Sequence, residues 1–202
     1  MLMLALAIAT MPTPIGRGLP GDLGAYSALN GETKPAATRL DLTVDASGAP
    51  VRCNVSLSDG NRTLDRVACA MLMHQAHFVP ARDAGGLPVA AVVRYDFTVN
   101  HEVAVRRSGG PAETARRVDF ALPVARLLTE PVIVADLLLT TDVAGRVTRC
   151  DVAASTARPS LNAAACREVT ATTFAPARNR AGQAMAAVRQ VSVGFVAGEV
   201  PH

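Results

Sequence analysis

The chain has no tryptophan, and its two tyrosines and five phenylalanines make up 3% of 202 residues. Binding of single-stranded nucleic acid relies on aromatic platforms beside a dense basic face. The rings are scarce here and the net charge is only +3. Lys34 is the only lysine, so the positive charge is carried almost wholly by arginine. Nucleic acid is therefore not expected as a partner. The arginines at Arg106, Arg107, Arg116, Arg117 and Arg126 read as a solvated connector. No apolar run approaches the ~20 residues of a membrane-crossing helix. The chemical motifs are missing as well: no H-E-x-x-H, no G-x-S-x-G, no P-loop and no C-x-x-C. Gly16-Arg-Gly18-Leu-Pro-Gly21 matches a dinucleotide fingerprint in letters, but no strand precedes it and Pro20 stands where its helix would begin. No catalytic residue, metal or cofactor is expected, and the chain is not read as an enzyme.

What is present is a duplication. Leu40-x-Leu42-Thr43-x-Asp45-x-x-Gly48, Arg52-Cys53-x-Val55, Ala68-Cys69 and Phe78-x-Pro80-Ala81-Arg82 form one series. Leu137-x-Leu139-Thr140-x-Asp142-x-x-Gly145, Arg149-Cys150-x-Val152, Ala165-Cys166 and Phe174-x-Pro176-Ala177-Arg178 form the second. The offset is 97 residues from Cys53 to Cys150 and 96 from Phe78 to Phe174, a single deletion within a shared segment. A repeat of this kind fixes the architecture before single residues are read. It also filters them. His74 and His77 lie three apart on a helical stretch, but the second repeat has no histidine there, so a metal site is not expected.

Half the residues are apolar, enough for folded cores of valine, leucine and alanine. Units of sixty to seventy residues are nevertheless marginal on burial alone. The four cysteines fall as two pairs, Cys53 with Cys69 and Cys150 with Cys166, each 16 apart. One disulfide per repeat is the expectation, in an oxidising compartment. Each would contribute roughly 3 kcal/mol. Four buried free thiols are the alternative at this stage.

Periodicity gives the elements. Leu40, Leu42 and Val44 alternate, Asp45-Ala-Ser-Gly48 turns, and Val51, Cys53, Val55 and Leu57 alternate again, which reads as a hairpin. Leu64, Val67, Ala68, Met71 and Leu72 make a helical stripe, with Thr63 as the expected N-cap and an end near His77. Residues 89–99 read as the closing strand. The second repeat follows suit: strands over 134–141 and 148–153, a helix capped by Ser160, and a strand over 186–196. The fold class is α+β, as two tandem small β-β-α-β domains, each an antiparallel sheet packed by one helix. The divisions are 1–36, a signal-like segment and linker; 37–99, the first domain; 100–131, an arginine-rich connector; and 132–198, the second domain. Within the connector, 111–117 reads as helical and 118–128 as strand or loop. Residues 1–10 suit a signal h-region, with Ala5, Ala7 and Ala9 placed for cleavage but no positive n-region.

Val44-Asp45-Ala46-Ser47-Gly48, Leu64-Asp65, Phe78-Val79-Pro80-Ala81-Arg82-Asp83 and Gly86-Leu87-Pro88-Val89, echoed by Thr141-Asp142-Val143-Ala144-Gly145, Leu161-Asn162, Phe174-Ala175-Pro176-Ala177-Arg178-Asn179 and Gly182, carry a resemblance. In this order and spacing they resemble the C-terminal domain of TonB, the periplasmic energy transducer, over most of residues 38–197. The cysteines resemble a variant with a strand-to-helix disulfide. The resemblance implies a periplasmic protein that captures an extended segment of an outer-membrane transporter, or of another envelope protein, by strand addition. It places the partner on the closing strands, at Val89, Val93, Tyr95 and Phe97 and at Val188, Val191, Val193 and Phe195. Inner-membrane association is expected only if the N-terminus extends upstream. The transducer's membrane helix and proline-rich spacer have no counterpart in these residues, so a secreted, disulfide-stapled structural or inhibitory module is the alternative function.

Overall fold

The computed structural model describes residues 9–15, 36–58, 60–99, 118–124 and 132–197. The fold is mixed α+β, and the described residues form mostly strands, with two helices. The strands are β1 (Thr13–Pro14), β2 (Ala36–Val44), β3 (Pro50–Ser58), β4 (Phe78–Val79), β5 (Ala81–Arg82), β6 (Pro88–Val99) and β7 (Phe120–Val124), followed by β8 (Val132–Thr141), β9 (Val147–Ala154), β10 (Ala177–Arg178), β11 (Ala184–Met185) and β12 (Ala187–Ala197). The helices are α1 (Arg62–Gln75) and α2 (Pro159–Thr170).

Each repeat begins with a hairpin whose turn is set by one aspartate. Asp45 Oδ1 accepts from the Ser47 and Ala49 amides, and Asp142 Oδ1 from those of Ala144 and Arg146. The side chain thus substitutes for backbone acceptors, the usual reason for aspartate at such turns. Gly48 and Gly145 close the turns at φ +88° and +82°. Both hairpins carry register shifts at matching points, between Arg39/Leu40 and Thr43/Val44 in one and Asp136/Leu137 and Thr140/Thr141 in the other.

The helices start differently from the sequence expectation. In α1 the N-cap is Asn61, whose side chain accepts from the Leu64 amide at 3.0 Å, and Thr63 lies inside the helix. In α2 the start is Pro159, with Arg158 at the N-cap and no side-chain cap bond, so Ser160 is helical rather than a cap. Proline lacks the amide that a first-turn residue would leave unpaired, and its fixed φ suits that position. The first helix ends at Gln75, short of His77.

One core holds Leu40, Leu42, Val44, Leu64, Leu72 and Phe97. The other holds Leu137, Leu139, Ala165, Val169, Val193 and Phe195. Phe97 and Phe195 are each 1% exposed, and burying one such ring contributes about 1.5–3 kcal/mol. The disulfides Cys53–Cys69 and Cys150–Cys166 tie β3 to α1 and β9 to α2, with Cα separations of 5.7 and 5.9 Å. No cysteine is free. Disulfides of this kind suit an oxidising, extracytoplasmic compartment. Among the described residues no helix is long and apolar enough to cross a membrane.

The repeats join into one sheet, ordered β3-β2-β6-β12-β8-β9. The join is a short parallel pairing of Ala90–Val92 with Ala187–Arg189. Neighbours across a pair project to the same face. Val92 points away from α1, while its neighbour Arg189 lies over the Phe174 ring on the α2 side. The helices therefore cover opposite faces, and the repeats are related by an approximate twofold axis running along the strands of the join.

Candidate strand-addition edges

The closing strands do not offer their expected residues outward. Val93, Tyr95 and Phe97 pack into the α1 core, and Val191, Val193 and Phe195 into the α2 core. Val89 and Val188 meet Ala9, Met11 and Leu138 in a smaller cluster at the join. The β12 backbone is held on both sides: β8 pairs along Val132–Thr141, β6 covers Ala187–Arg189, and β7 covers Val193–Ala197. The β6 backbone pairs with β2 along Ala36–Val44, and beyond Val92 its other edge has no strand partner among the described residues.

Beyond that point β6 and β12 diverge, and the fork is filled from the connector. The stretch 118–128, which reads as strand or loop, includes β7, which runs parallel to β12 with Phe120 opposite Val193 and Val124 opposite Ala197. Phe120, Leu122 and Val124 cover the α2 core. Pro123 suits a strand that, among the described residues, pairs on one side only. Gly194 leaves room for Val118, whose methyls lie 3.0 Å from where a Cβ would stand. Asp119, just before β7, accepts from the Ser192 amide at 2.8 Å and from the Arg94 guanidinium. Arg94 also reaches Asp41 at 3.4 Å. Burial disfavours the charged form of Arg94, but Asp119 and then Asp41 outweigh it and raise its pKa. Arg189 forms no ion pair among the described residues. Burial lowers its pKa and Arg94 adds to the effect, with Asp41 and Asp119 opposing, and among the described residues its Nε has no hydrogen-bond partner.

A second segment outside the repeats also adds as a strand. Residues 10–15 belong to the span that the sequence reads as signal-like segment and linker. Thr10 exchanges two backbone bonds with Arg82 (2.8 and 3.2 Å), Thr13 and Pro14 face Val79 and Phe78, and the Ile15 amide donates to the His77 carbonyl. Alternating prolines hid this strand from periodicity, although Pro12 and Pro14 suit an edge that accepts no further strand. The part of the signal-like segment before Ala9 and the helix read over 111–117 lie outside the described residues.

Among the described residues the outer edges of this sheet are β3 and β9. Val55 and Leu57 on β3 are 44% and 55% exposed, and Val152, the counterpart of Val55, is 36% exposed. His74 and His77 are exposed at the end of α1 and in the loop after it. Among the described residues no group of three His, Cys, Asp or Glu is placed to hold a metal. No family model, curated protein or solved structure matches this chain.

Proposed function

We propose that this chain is a TonB-like periplasmic protein, built as two tandem β-β-α-β units, that binds extended segments of envelope proteins by strand addition in service of TonB-dependent transport. One observation carries the reading: two segments outside the repeats, Thr10–Ile15 and Phe120–Val124, already attach to them by backbone pairing. Main-chain bonds supply affinity in such binding, and alternate side chains supply selectivity. The outer sides of β3 and β9 are the corresponding docking edges for a partner, with Val55, Leu57 and Val152 as side-chain contacts. The open part of β6, Val93–Val99, is a third edge.

The test is titration of the isotope-labelled chain with extended peptides from the N-termini of outer-membrane transporters, read by amide NMR. Saturable shifts along Pro50–Ser58, Val147–Ala154 or Val93–Val99 are expected. A folded chain that shows none with any such peptide defeats the reading and leaves the stapled structural or inhibitory module.

A further inference from the structure

The approximate twofold axis relates two hairpin edges that are unequally covered. In the first repeat, Phe78–Arg82 is covered by Thr10–Ile15. Its counterpart, Phe174–Arg178, has the same local build. The Asp83 amide donates to Leu87 and the Asn179 amide to Gln183, both at 3.0 Å, and the Arg82 and Arg178 guanidinium groups reach the Gly86 and Gly182 carbonyls, both at 2.6 Å. Antiparallel pairing alternates which residues turn their amide and carbonyl toward a given neighbour. With Asn179 bonded inward, Arg178 turns both groups outward, as Arg82 does toward Thr10. Among the described residues no strand meets them there.

Burial records the same asymmetry. Phe78 is 3% exposed, whereas Phe174 is only half-buried, with the Arg189 guanidinium 4.8 Å from its ring centre. Val188 is fully buried beside Ala9, whereas its counterpart Val92 is partly open beside the partly open Met185. The Ala175 carbonyl is taken by Arg189, so pairing there would rest on Arg178 and on the Thr173 carbonyl, counterpart of the His77 carbonyl that accepts from Ile15.

We propose that the Thr173–Arg178 edge is a separate strand-addition site for an extended segment of another protein, of the kind that fills the sister edge: small and β-branched residues, a small or flexible apolar side chain at the end over Val92 and Met185, and proline on the outer side. The site is distinct from β3, β6 and β9, and binding there does not require binding at those edges.

The probe is a synthetic peptide with the sequence of residues 9–15, Ala-Thr-Met-Pro-Thr-Pro-Ile, titrated into the full chain by calorimetry and amide NMR. One equivalent should bind, with shifts at Thr173, Ala175, Arg178 and Met185. Arg178→Pro removes the outward amide and should weaken binding at least tenfold. Met185→Glu, which leaves the backbone intact, should do the same if the proline variant fails to fold. The proposal is overturned by no saturable binding, by shifts confined to His77–Arg82 through exchange with the chain's own strand, or by undiminished affinity in a folded variant. Transporter peptides that fail on β3, β6 and β9 leave it untouched.

Discussion

Arg94 donates to Asp119 across the fork where β6 and β12 separate, while the other oxygen of Asp119 takes the Ser192 amide of β12. One carboxylate therefore ties three strands, and its side chain is 14% exposed. Replacing Asp119 by Ala leaves the Ser192 amide without this acceptor and the Arg94 guanidinium with Asp41 as its carboxylate partner. A charged hydrogen bond of this kind contributes about 1.5–3 kcal/mol. Asp119→Ala is expected to lower unfolding stability by about that amount and to raise hydrogen exchange at Ser192 first. In a double-mutant cycle with Arg94→Met, a coupling near zero would show the contact to be incidental.

Gly48 and Gly145 form the tightest constraint shared by the repeats. A Cβ at Gly48 would stand 2.0 Å from the Phe78 carbonyl oxygen, and one at Gly145 1.9 Å from that of Phe174. The same phenylalanines donate their amides back to the Gly48 and Gly145 carbonyls at 3.2 and 2.9 Å. The obstacle is backbone, so no side chain can move aside. Left-handed strain alone costs roughly 1–2 kcal/mol, and the clash adds to it. Gly48→Ala and Gly145→Ala should each cost more than that in denaturant unfolding, whereas alanine at Gly182, with nothing within 4 Å, should cost only the strain. Equal losses at all three positions would refute the role of the close approach.

These glycines also mark what was legible in advance. The turn aspartates, the alternation of Leu40, Leu42 and Val44, the stripe from Leu64 to Leu72 and the cysteine spacing are local patterns, and each led to the observed element. The helix starts were missed because Asn61 and Thr63 both suit an N-cap, and Pro159 starts a helix without any cap bond. The joining of β6 to β12 and the insertion of β7 were not legible. Parallel pairing between distant segments leaves no periodic trace, and three paired residues at the join, Ala90–Val92, are too few to stand out. Arg189 in place of Val93 was visible as a difference between repeats, but its meaning depends on Phe174 and Arg94, which only the folded chain brings near.

Acid should loosen the two hairpin turns. At Asp45 burial alone would raise the pKa, but the Ser47 hydroxyl, the Ala49 and Ser47 amides and Arg180 together hold it below the ordinary value of 3.8. At Asp142 the Arg146 amide, then its guanidinium, lower it, and the Ala144 amide adds to this. A carboxyl depressed in the folded state stabilises it fully above the unfolded pKa, and that contribution is lost as pH falls through the folded value. Melting temperature should thus decline below about pH 4. The Asp45→Asn/Asp142→Asn pair keeps an acceptor oxygen at each turn but removes the titration, so its decline should be shallower. Parallel curves for the two chains would assign the acid response to other groups.

The disulfides stabilise two helices that begin unequally. Each closes a loop with a sequence separation of 16, for which chain entropy gives about 3 kcal/mol. Peptide mapping without reductant should recover Cys53 with Cys69 and Cys150 with Cys166, and no pair across repeats. Removing either bridge by double alanine substitution should cost a similar amount of global stability. Local effects should differ. Asn61 caps α1 through the Leu64 amide, whereas α2 has no side-chain cap bond and buries only Ala165 and Val169, against Leu64, Ala68 and Leu72 in α1. Losing an N-cap contact typically costs about 1 kcal/mol, so α2 leans more heavily on its bridge. Amide exchange in α2 should rise further after Cys150→Ala/Cys166→Ala than exchange in α1 after Cys53→Ala/Cys69→Ala. The reverse order would mean that β7 and the α2 core hold that helix without help from sulfur.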